Sequence, residues 1–365
     1  MRLAEAPSTG PGPGLGVTGG VTGGSPAAAP VGWGIAGCGW VARDHALPGL
    51  LQVPGARVVA LHDRDPGAMA RMGIEAPGTT DLAAFLASPG LDAVYVAVPN
   101  AAHREVVEAA AAAGVAVLCE KPLAADTADA EAVVAACARA GVLLGTAYDQ
   151  RWHPAHLRLR ALLPELGTVT AVRLVYCCWL PADWSPDGRP HDNWRVDLVR
   201  AGGGAAIDLA PHGLDLAGVL LGEDVELLGA LLQTRVQDYP VDDGALLHGR
   251  TPGGVLVDLH VAYNCPDALP RRRLEVVGTR GSAVAVDTMG QTAGGSLTLF
   301  PAEPGAAPVD VGFGDETPFA AQFAAFSAAV AGTAPWPYPA DRDLALHRLL
   351  VTALAAAAKT LESPS

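Results

Sequence analysis

Long apolar runs, extended basic blocks and C-x-x-C cysteine pairs are all missing from this sequence. No uninterrupted apolar stretch approaches the roughly 18 residues that a spanning helix requires, and the opening segment has no basic start followed by an apolar core. A soluble, unexported, cytoplasmic protein is the expectation. Lys and Arg number 24 against 38 Asp and Glu, for a net charge of -14, and no basic block exceeds Arg271-Arg272-Arg273. Phosphate backbones and anionic membranes are therefore poor partners, so neither nucleic acid nor membrane binding is expected. The six cysteines (Cys38, Cys119, Cys137, Cys177, Cys178 and Cys265) include no C-x-x-C pair and read as reduced, mostly structural thiols. Adjacent Cys177 and Cys178, on a strand, would point to opposite faces.

At 365 residues the chain has room for two cores, by a prior of roughly one domain per 150 residues. Half of it is apolar, much of that Ala, and 43 Gly and 30 Pro imply Ala-rich helices and many turns. Residues 1–30 are Gly/Pro-rich with almost no large apolar side chains, so they read as a disordered tail with a low-complexity "GVTGG" repeat. From Val31 onward the runs "WGIAG", "RVVALHD", "DAVYVAVPN", "VAVLCEKP" and "VLLGTAY" alternate with helical stretches, among them "HREVVEAAAAAG" and "DTADAEAVVAACARAG". Such alternation predicts an α/β domain over 31–150, with a doubly wound parallel sheet covered on both faces. Asp126 or Thr127 is placed to cap the second of these helices and Gly141 to end it.

Beyond about residue 165 the pattern turns to alternating strand-like segments, with turn signals at Asp187-Gly188, Pro252-Gly253-Gly254 and Arg280-Gly281. Residues 151–365 are accordingly expected to form an α+β domain on a mostly antiparallel open sheet. Two closing helical patterns, Ala320 to Val330 and Asp341 to Thr360, should pack back against one of the domains.

"WGIAGCGWVA" sets Gly37, Gly39 and Ala42 in the dinucleotide fingerprint G-x-G-x-x-G/A, directly after the first strand. Gly37 permits the tight turn, Gly39 lets a pyrophosphate approach the backbone, and Ala42 lets helix pack on strand. Pro48 should kink or end that helix early. The second strand closes on Asp63, 21 residues beyond Ala42, where an acid would hold ribose hydroxyls. A carboxylate there repels a 2'-phosphate and favours NAD, whereas neighbouring Arg64 keeps NADP open. The expectation is thus an N-terminal Rossmann domain binding NAD or NADP.

The third landmark is "LCEKPL", an apolar strand ending in Glu120, Lys121 and Pro122. A charge at a strand's carboxyl end is costly unless paired or used, and ligands of open α/β sheets sit at that edge. A surface lysine before a turn is the alternative. Further on, "GGGAAIDLAPHGLD" spaces Asp208, His212 and Asp215 at i, i+4 and i+7, on one side of a helix. A histidine there can trade a proton near neutrality. On residues alone, Asp208 could equally be the helix N-cap with Pro211 in the first turn, and His212 a satisfied core histidine. No metal is expected, because no further ligand cluster lies nearby in sequence.

Taken in order, "VYVAVPNAAHREV", "EKP", "YDQRWHP" and D-x-x-x-H-x-x-D after the run Gly202–Gly204 make the chain resemble the Gfo/Idh/MocA oxidoreductase family across residues 31–360. The resemblance implies that Lys121, beside Glu120 and on a commonly cis Lys-Pro peptide, reaches the nicotinamide ribose and a substrate hydroxyl. It implies that His212 is the general base, with Asp208 orienting sugar or base. Pro99 and Asn100 would flank the nicotinamide, and Tyr148 and Arg151 would line the substrate site, as would Trp194 and Arg195. His103 is given no catalytic role. Pro211 stands where the family usually has a small flexible residue. The aromatic-rich stretch with Trp179, Trp184 and Trp194 suits a sugar face, or pins its loop to the core.

Three functions follow from the resemblance. The first is an NAD(P)-dependent dehydrogenase or reductase of a sugar, cyclitol or related polyol. An NAD-retaining glycosidase-type enzyme and a non-catalytic dinucleotide sensor are the others, and retention of Lys121, Asp208 and His212 together argues against the sensor. By analogy, the open sheet of the second domain is expected to serve a homo-oligomer.

Overall fold

The computed structural model describes residues 30–187 and 192–362. The tail expected over 1–30 lies outside them except for Pro30, as does Gly188 of the expected Asp187-Gly188 turn. Six strands form the first sheet: β1 (Val31–Ala36), β2 (Ala56–His62), β3 (Gly78–Thr79), β4 (Ala93–Val96), β5 (Ala116–Glu120) and β6 (Leu144–Ala147). They are parallel in the order β3-β2-β1-β4-β5-β6, a doubly wound Rossmann sheet. β1 and β4 are buried at every position, which is why their sequences run apolar without alternation. The strand order reverses between β1 and β4, opening a crevice at their carboxyl ends.

Helices α1 (Leu47–Leu50), α2 (Pro66–Ala70), α3 (Leu82–Leu86), α4 (His103–Ala112) and α5 (Thr127–Ala140) cross between the strands. Ahead of α1 the backbone makes one wide turn over Ala42–Ala46, and the Leu47 N–H reaches back to the Ala42 carbonyl. Pro48 cannot donate an N–H, so the helix changes register in front of it, as the sequence led us to expect. Asp126, not Thr127, caps α5 by accepting from the Asp129 N–H, and left-handed Gly141 ends it.

After α6 (Pro154–Leu162) the second sheet begins with β7 (Val169–Cys177), followed by helices α7 (Leu198–Ala201) and α8 (Ala205–Leu221). Then come β8 (Glu226–Gln233), β9 (Gly244–Arg250), β10 (Leu256–Ala262), β11 (Arg272–Gly278), β12 (Gly281–Val286), β13 (Ser296–Pro301) and β14 (Val309–Asp310). The order is β14-β13-β12-β11-β7-β10-β9-β8, antiparallel but for the β7–β10 pair. Buried residues alternate with exposed ones along β9 and β10, because only one face is covered. The open face carries exposed Leu228, Leu231, Leu246 and Leu256. The segment Leu198–Leu221 is long and apolar enough to cross a membrane, but 83% of its most apolar 18-residue window is buried inside the protein.

Two closing helices, α9 (Pro318–Val330) and α10 (Ala340–Glu362), tie the lobes together. α9 returns to the first sheet, where Phe323 and Phe326 pack 5.0 and 5.6 Å from the Trp33 ring and Ser327 accepts from the indole N–H at 3.1 Å. Each of these buried rings contributes roughly 1.5–3 kcal/mol, so the junction is core, not hinge. α10 carries Asp343, which joins Asp215 of α8 around the fully buried Arg151. Arg151 donates to Asp215 at 2.7 and 2.8 Å and to Asp343, and its guanidinium stacks on Tyr148 and Tyr338, 4.5 and 4.0 Å from their ring centres. Removing the cation would strand two buried carboxylates with only Arg342 beside them. Arg151→Met should therefore cost about 3–5 kcal/mol of stability, read as a lowered urea midpoint.

Candidate active site

The fingerprint turn follows β1. A side chain at Gly37 would meet the Ala97 carbonyl at 2.5 Å, and its φ of +91° suits glycine, whereas the space beside Gly39 is open. Asp63 fixes this turn from the neighbouring strand: its carboxylate accepts from the Cys38 N–H at 2.8 Å and from the Asp65 N–H at 2.9 Å. A groove of about 920 Å³ runs past Gly37, Gly39, Asp63, Arg64 and Pro99. Open backbone at the turn, with an acid and a base at the end of β2, fits an extended dinucleotide.

The groove leads into a second cavity of about 290 Å³, sharing Gly39, Trp40, Ala97, Val98 and Trp194 with it. Lys121 enters from the end of β5 on a cis peptide bond to Pro122. Its Nζ donates to Asp208 Oδ1 at 2.6 Å and to the Asp208 carbonyl at 2.9 Å, and the Tyr263 hydroxyl donates to Asp208 Oδ2 at 2.6 Å. Burial opposes ionisation of Asp208, but Lys121, Arg195 and the Tyr263 hydroxyl more than offset it and hold the carboxyl well below its ordinary range.

The Gly202–Gly204 run explains how Asp208 reaches Lys121. A Cβ at Gly202 would fall 2.1 Å from the Ala125 carbonyl, and one at Gly204 would fall 2.0 Å from that of Asp242. Only glycine lets the start of α8 lie so close to the loop that follows Lys121. Asp242 then caps the helix from outside, accepting from the Gly204 N–H at 2.9 Å and the Ala206 N–H at 2.7 Å. Asp208 is therefore not the N-cap, and Pro211 lies within α8, not in its first turn.

His212, one turn beyond Asp208, presents Nδ1 to Asp149 Oδ1 at 3.3 Å, close enough for an ion pair but not aligned as a hydrogen bond. With Nδ1 buried there, Nε2 is the ring nitrogen left to the cavity. Gln150 donates to the other Asp149 oxygen at 3.0 Å. Burial pushes the Asp149 carboxyl up, yet His212, Lys121 and Gln150 together leave it below its ordinary value. Behind Lys121, burial lifts Glu120 to about 7 against the pull of the Lys121 ammonium and of the Tyr95 hydroxyl, which donates at 2.5 Å.

Residues 31–148 match the oxidoreductase family with an NAD-binding Rossmann fold, Gfo/Idh/MocA, and residues 156–284 match the C-terminal domain of the same family. The chain belongs to the Gfo/Idh/MocA family. Among its relatives, 1,5-anhydro-D-fructose reductase of Ensifer adhaerens is 32% identical over 278 residues, 74% of this chain and 80% of that one. Aldose-aldose oxidoreductase of Caulobacter crescentus, solved with glycerol, superposes with a TM-score of 0.78 at 25% identity, covering 90% of this chain and 98% of that one. A 3-ketoreductase of Actinomadura kijaniata, solved with NADP and TDP-benzene, gives a TM-score of 0.77 at 25% identity over 90% and 98% of the two chains. The family is one of NAD(P)-dependent sugar and polyol oxidoreductases.

Within this Gfo/Idh/MocA site the structure gathers Lys121, Glu120, Asn100, Asp208, His212, Trp194 and Arg195 on one cavity, with Trp179 and Trp184 on its wall. Ala42 also borders it, and Asn100 donates to the Ala201 carbonyl at 2.8 Å, joining the two lobes. Tyr148 and Arg151, expected on the wall, instead lie one layer behind it, because two carboxylates from α8 and α10 draw the guanidinium inward. Asp215 likewise turns to Arg151 and Arg342, so Asp208, His212 and Asp215 do not converge on one point. Asp149 escaped the sequence reading although it follows a strand's carboxyl end, the same signal that marked Lys121. Tyr263 and Tyr176 carried no local signal.

His103 braces the site from beneath: its ring lies between the Pro122 and Leu123 carbonyls, 3.1 and 3.3 Å from Nδ1, and that of Val98, 3.0 Å from Nε2, and the neutral ring donates its one N–H to one side only. Burial pushes its pKa down to about 4 and that of His156 down to about 3. Protonation from the ordinary value near 6.5 downward thus favours the unfolded chain, so stability is full above about pH 6.5 and falls as pH drops toward 4. Urea midpoints taken at pH 7.5 and 5 should show this loss, and His156→Gln should shallow it.

Proposed function

We propose that this protein transfers hydride between NAD(P) and a secondary alcohol or ketone of a sugar, cyclitol or related polyol. The carrying observation is that Lys121 of the first lobe and His212 of the second face one cavity continuous with the dinucleotide groove. In this reading 31–150 holds the cofactor and 151–365 the substrate, the latter through Trp194, Arg195, Asp208 and His212. Gly37, Gly39, Ala42, Asp63, Arg64, Pro99, Asn100, Glu120 and Lys121 form the cofactor side. The Asp63 carboxylate favours NAD over NADP.

The nicotinamide, when bound, accepts or supplies the hydride. In the oxidation direction, the hydroxyl proton passes to His212 Nε2 and the carbon–hydrogen bond breaks with its electron pair as the carbonyl forms. The Lys121 ammonium stabilises developing negative charge on the oxygen, at a part-buried place walled by protein. Asp208 and Tyr263 hold that ammonium in place, and Asp149 orients the imidazole and stabilises its protonated form. The reverse direction returns the same proton to the alkoxide.

This reading further places the protein in the cytoplasm as a homo-oligomer, without nucleic-acid or membrane partners. The exposed leucines on the open face of the second sheet support the assembly. Leu231→Lys with Leu246→Lys should lower the mass seen by sedimentation to that of a single chain. Lys121→Ala and His212→Asn should each lower kcat by about 10²–10⁴-fold in steady-state assays, with the fold intact by circular dichroism and dinucleotide still bound by fluorescence titration. Near-normal turnover in Lys121→Ala would defeat the role given to the ammonium.

A further inference from the structure

We propose that the natural substrate carries an anionic group, a carboxylate or a phosphoryl, and that Arg272 receives it. The inference rests on the hydride-transfer reading above and narrows its substrate class. A chain with 38 acidic and 24 basic residues offers carboxylates freely, and two of the four Lys and Arg side chains around this cavity have taken one. Lys121 holds Asp208, and Arg271 holds Asp267. Arg195 has no carboxylate within 4.0 Å among the described residues, but its guanidinium lies 4.6 Å from the centre of the Trp194 ring.

Arg272 stands apart. It is the first residue of β11, held by β-pairing to Tyr176 of β7, and its side chain makes no ion pair among the described residues. Its Nε is buried without a hydrogen-bond partner. The guanidinium lies 5.6 Å from the centre of the Tyr176 ring, and the His212 imidazole lies 5.6 Å from that same ring. Gly290 leaves the guanidinium room, since a Cβ there would approach Nη1 to 2.5 Å.

A guanidinium kept part-buried and unpaired loses hydration without gaining a partner, an arrangement that makes sense when a ligand completes it. Its planar fork matches carboxylate or phosphoryl oxygens. The acids that share the cavity would repel such a group only weakly, because each is engaged: Asp208 by Lys121, Asp149 by His212, Glu120 by Tyr95 and Asp267 by Arg271. A charged pyranose or cyclitol would place its reacting hydroxyl between Lys121 and His212 and its anionic substituent at Arg272, which shares the Tyr176 ring with His212.

The test compares the full-length protein, wild type and Arg272→Gln, with NAD+ and NADP+ on D-glucose and myo-inositol, on D-gluconate and D-glucuronate, and on D-glucose 6-phosphate. A charged sugar should exceed its neutral counterpart in kcat/KM, and the carboxylate and phosphate arms tell the two anions apart. Arg272→Gln should raise KM for the preferred anion by about 10- to 100-fold with a much smaller change in kcat, and Arg272→Lys should recover part of the loss. Equal or better turnover of the neutral sugars, with the same change in Arg272→Gln for neutral and charged substrates, overturns the proposal. Calorimetry of each anion with NAD+-saturated protein separates the two readings. Anion binding that depends on Arg272 but leads to no turnover sinks hydride transfer alone. Turnover of neutral polyols with no anion binding sinks the role of Arg272 alone.

Discussion

A buried ammonium needs a counter-charge, and Lys121 finds its own in the other lobe. Asp208 arrives on a helix from beyond residue 200, guided by glycines that let its first turn touch the loop after Lys121. Without that carboxylate the lysine would sit largely dehydrated at the end of a buried strand, a position worth several kcal/mol to relieve. The ion pair therefore sets the spacing between the lobes, the position of His212 one turn further on, and the shape of the cavity between them. Asn100, donating to the Ala201 carbonyl, holds the same spacing at a second point.

Charges around the cavity are arranged in layers. Lys121 with Asp208 and His212 with Asp149 form the wall, where each group touches both a partner and open space. Behind them Arg151, Asp215 and Asp343 form a layer that meets no ligand and fixes α8 against α10. Each charge in the inner layer has a counter-charge, although Arg151 Nη1 and Asp343 Oδ2 carry no hydrogen bond, and that layer backs the outer one. Glu120, lifted to about 7, is the exception, a carboxyl that gives up part of its charge instead of demanding a second cation.

Much of this was legible in the sequence, and what was not shares one cause. Runs such as "VYVAV" and the turn at Gly37–Ala42 carry their signal within a few residues, so the parallel sheet and its crevice could be read directly. Lys121, Asp208 and His212 were legible because a charge at a strand end and a one-sided helical spacing are local patterns. The start of α8 was not, because its cap, Asp242, lies 38 residues away from the Gly204 N–H it accepts, and a local search settles on Asp208 instead. Arg151 was placed on the wall because its deciding partner, Asp343, lies 192 residues downstream. Tyr263 joins Asp208 across 55 residues of sheet, a contact that only topology creates.

The return of α9 to the first sheet bears on how the chain matures during synthesis. Trp33 emerges from the ribosome well ahead of the phenylalanines that cover it, which follow about 290 residues later. Until they do, the flank of the nascent Rossmann unit that holds Trp33 is covered only in part, by α1 and α2, whereas the flank covered by α4 and α5 can close. The nucleotide lobe is thus begun before the second sheet and completed after it, so a ribosome that stalls short of Phe323 releases a partly clad sheet that chaperones must shield.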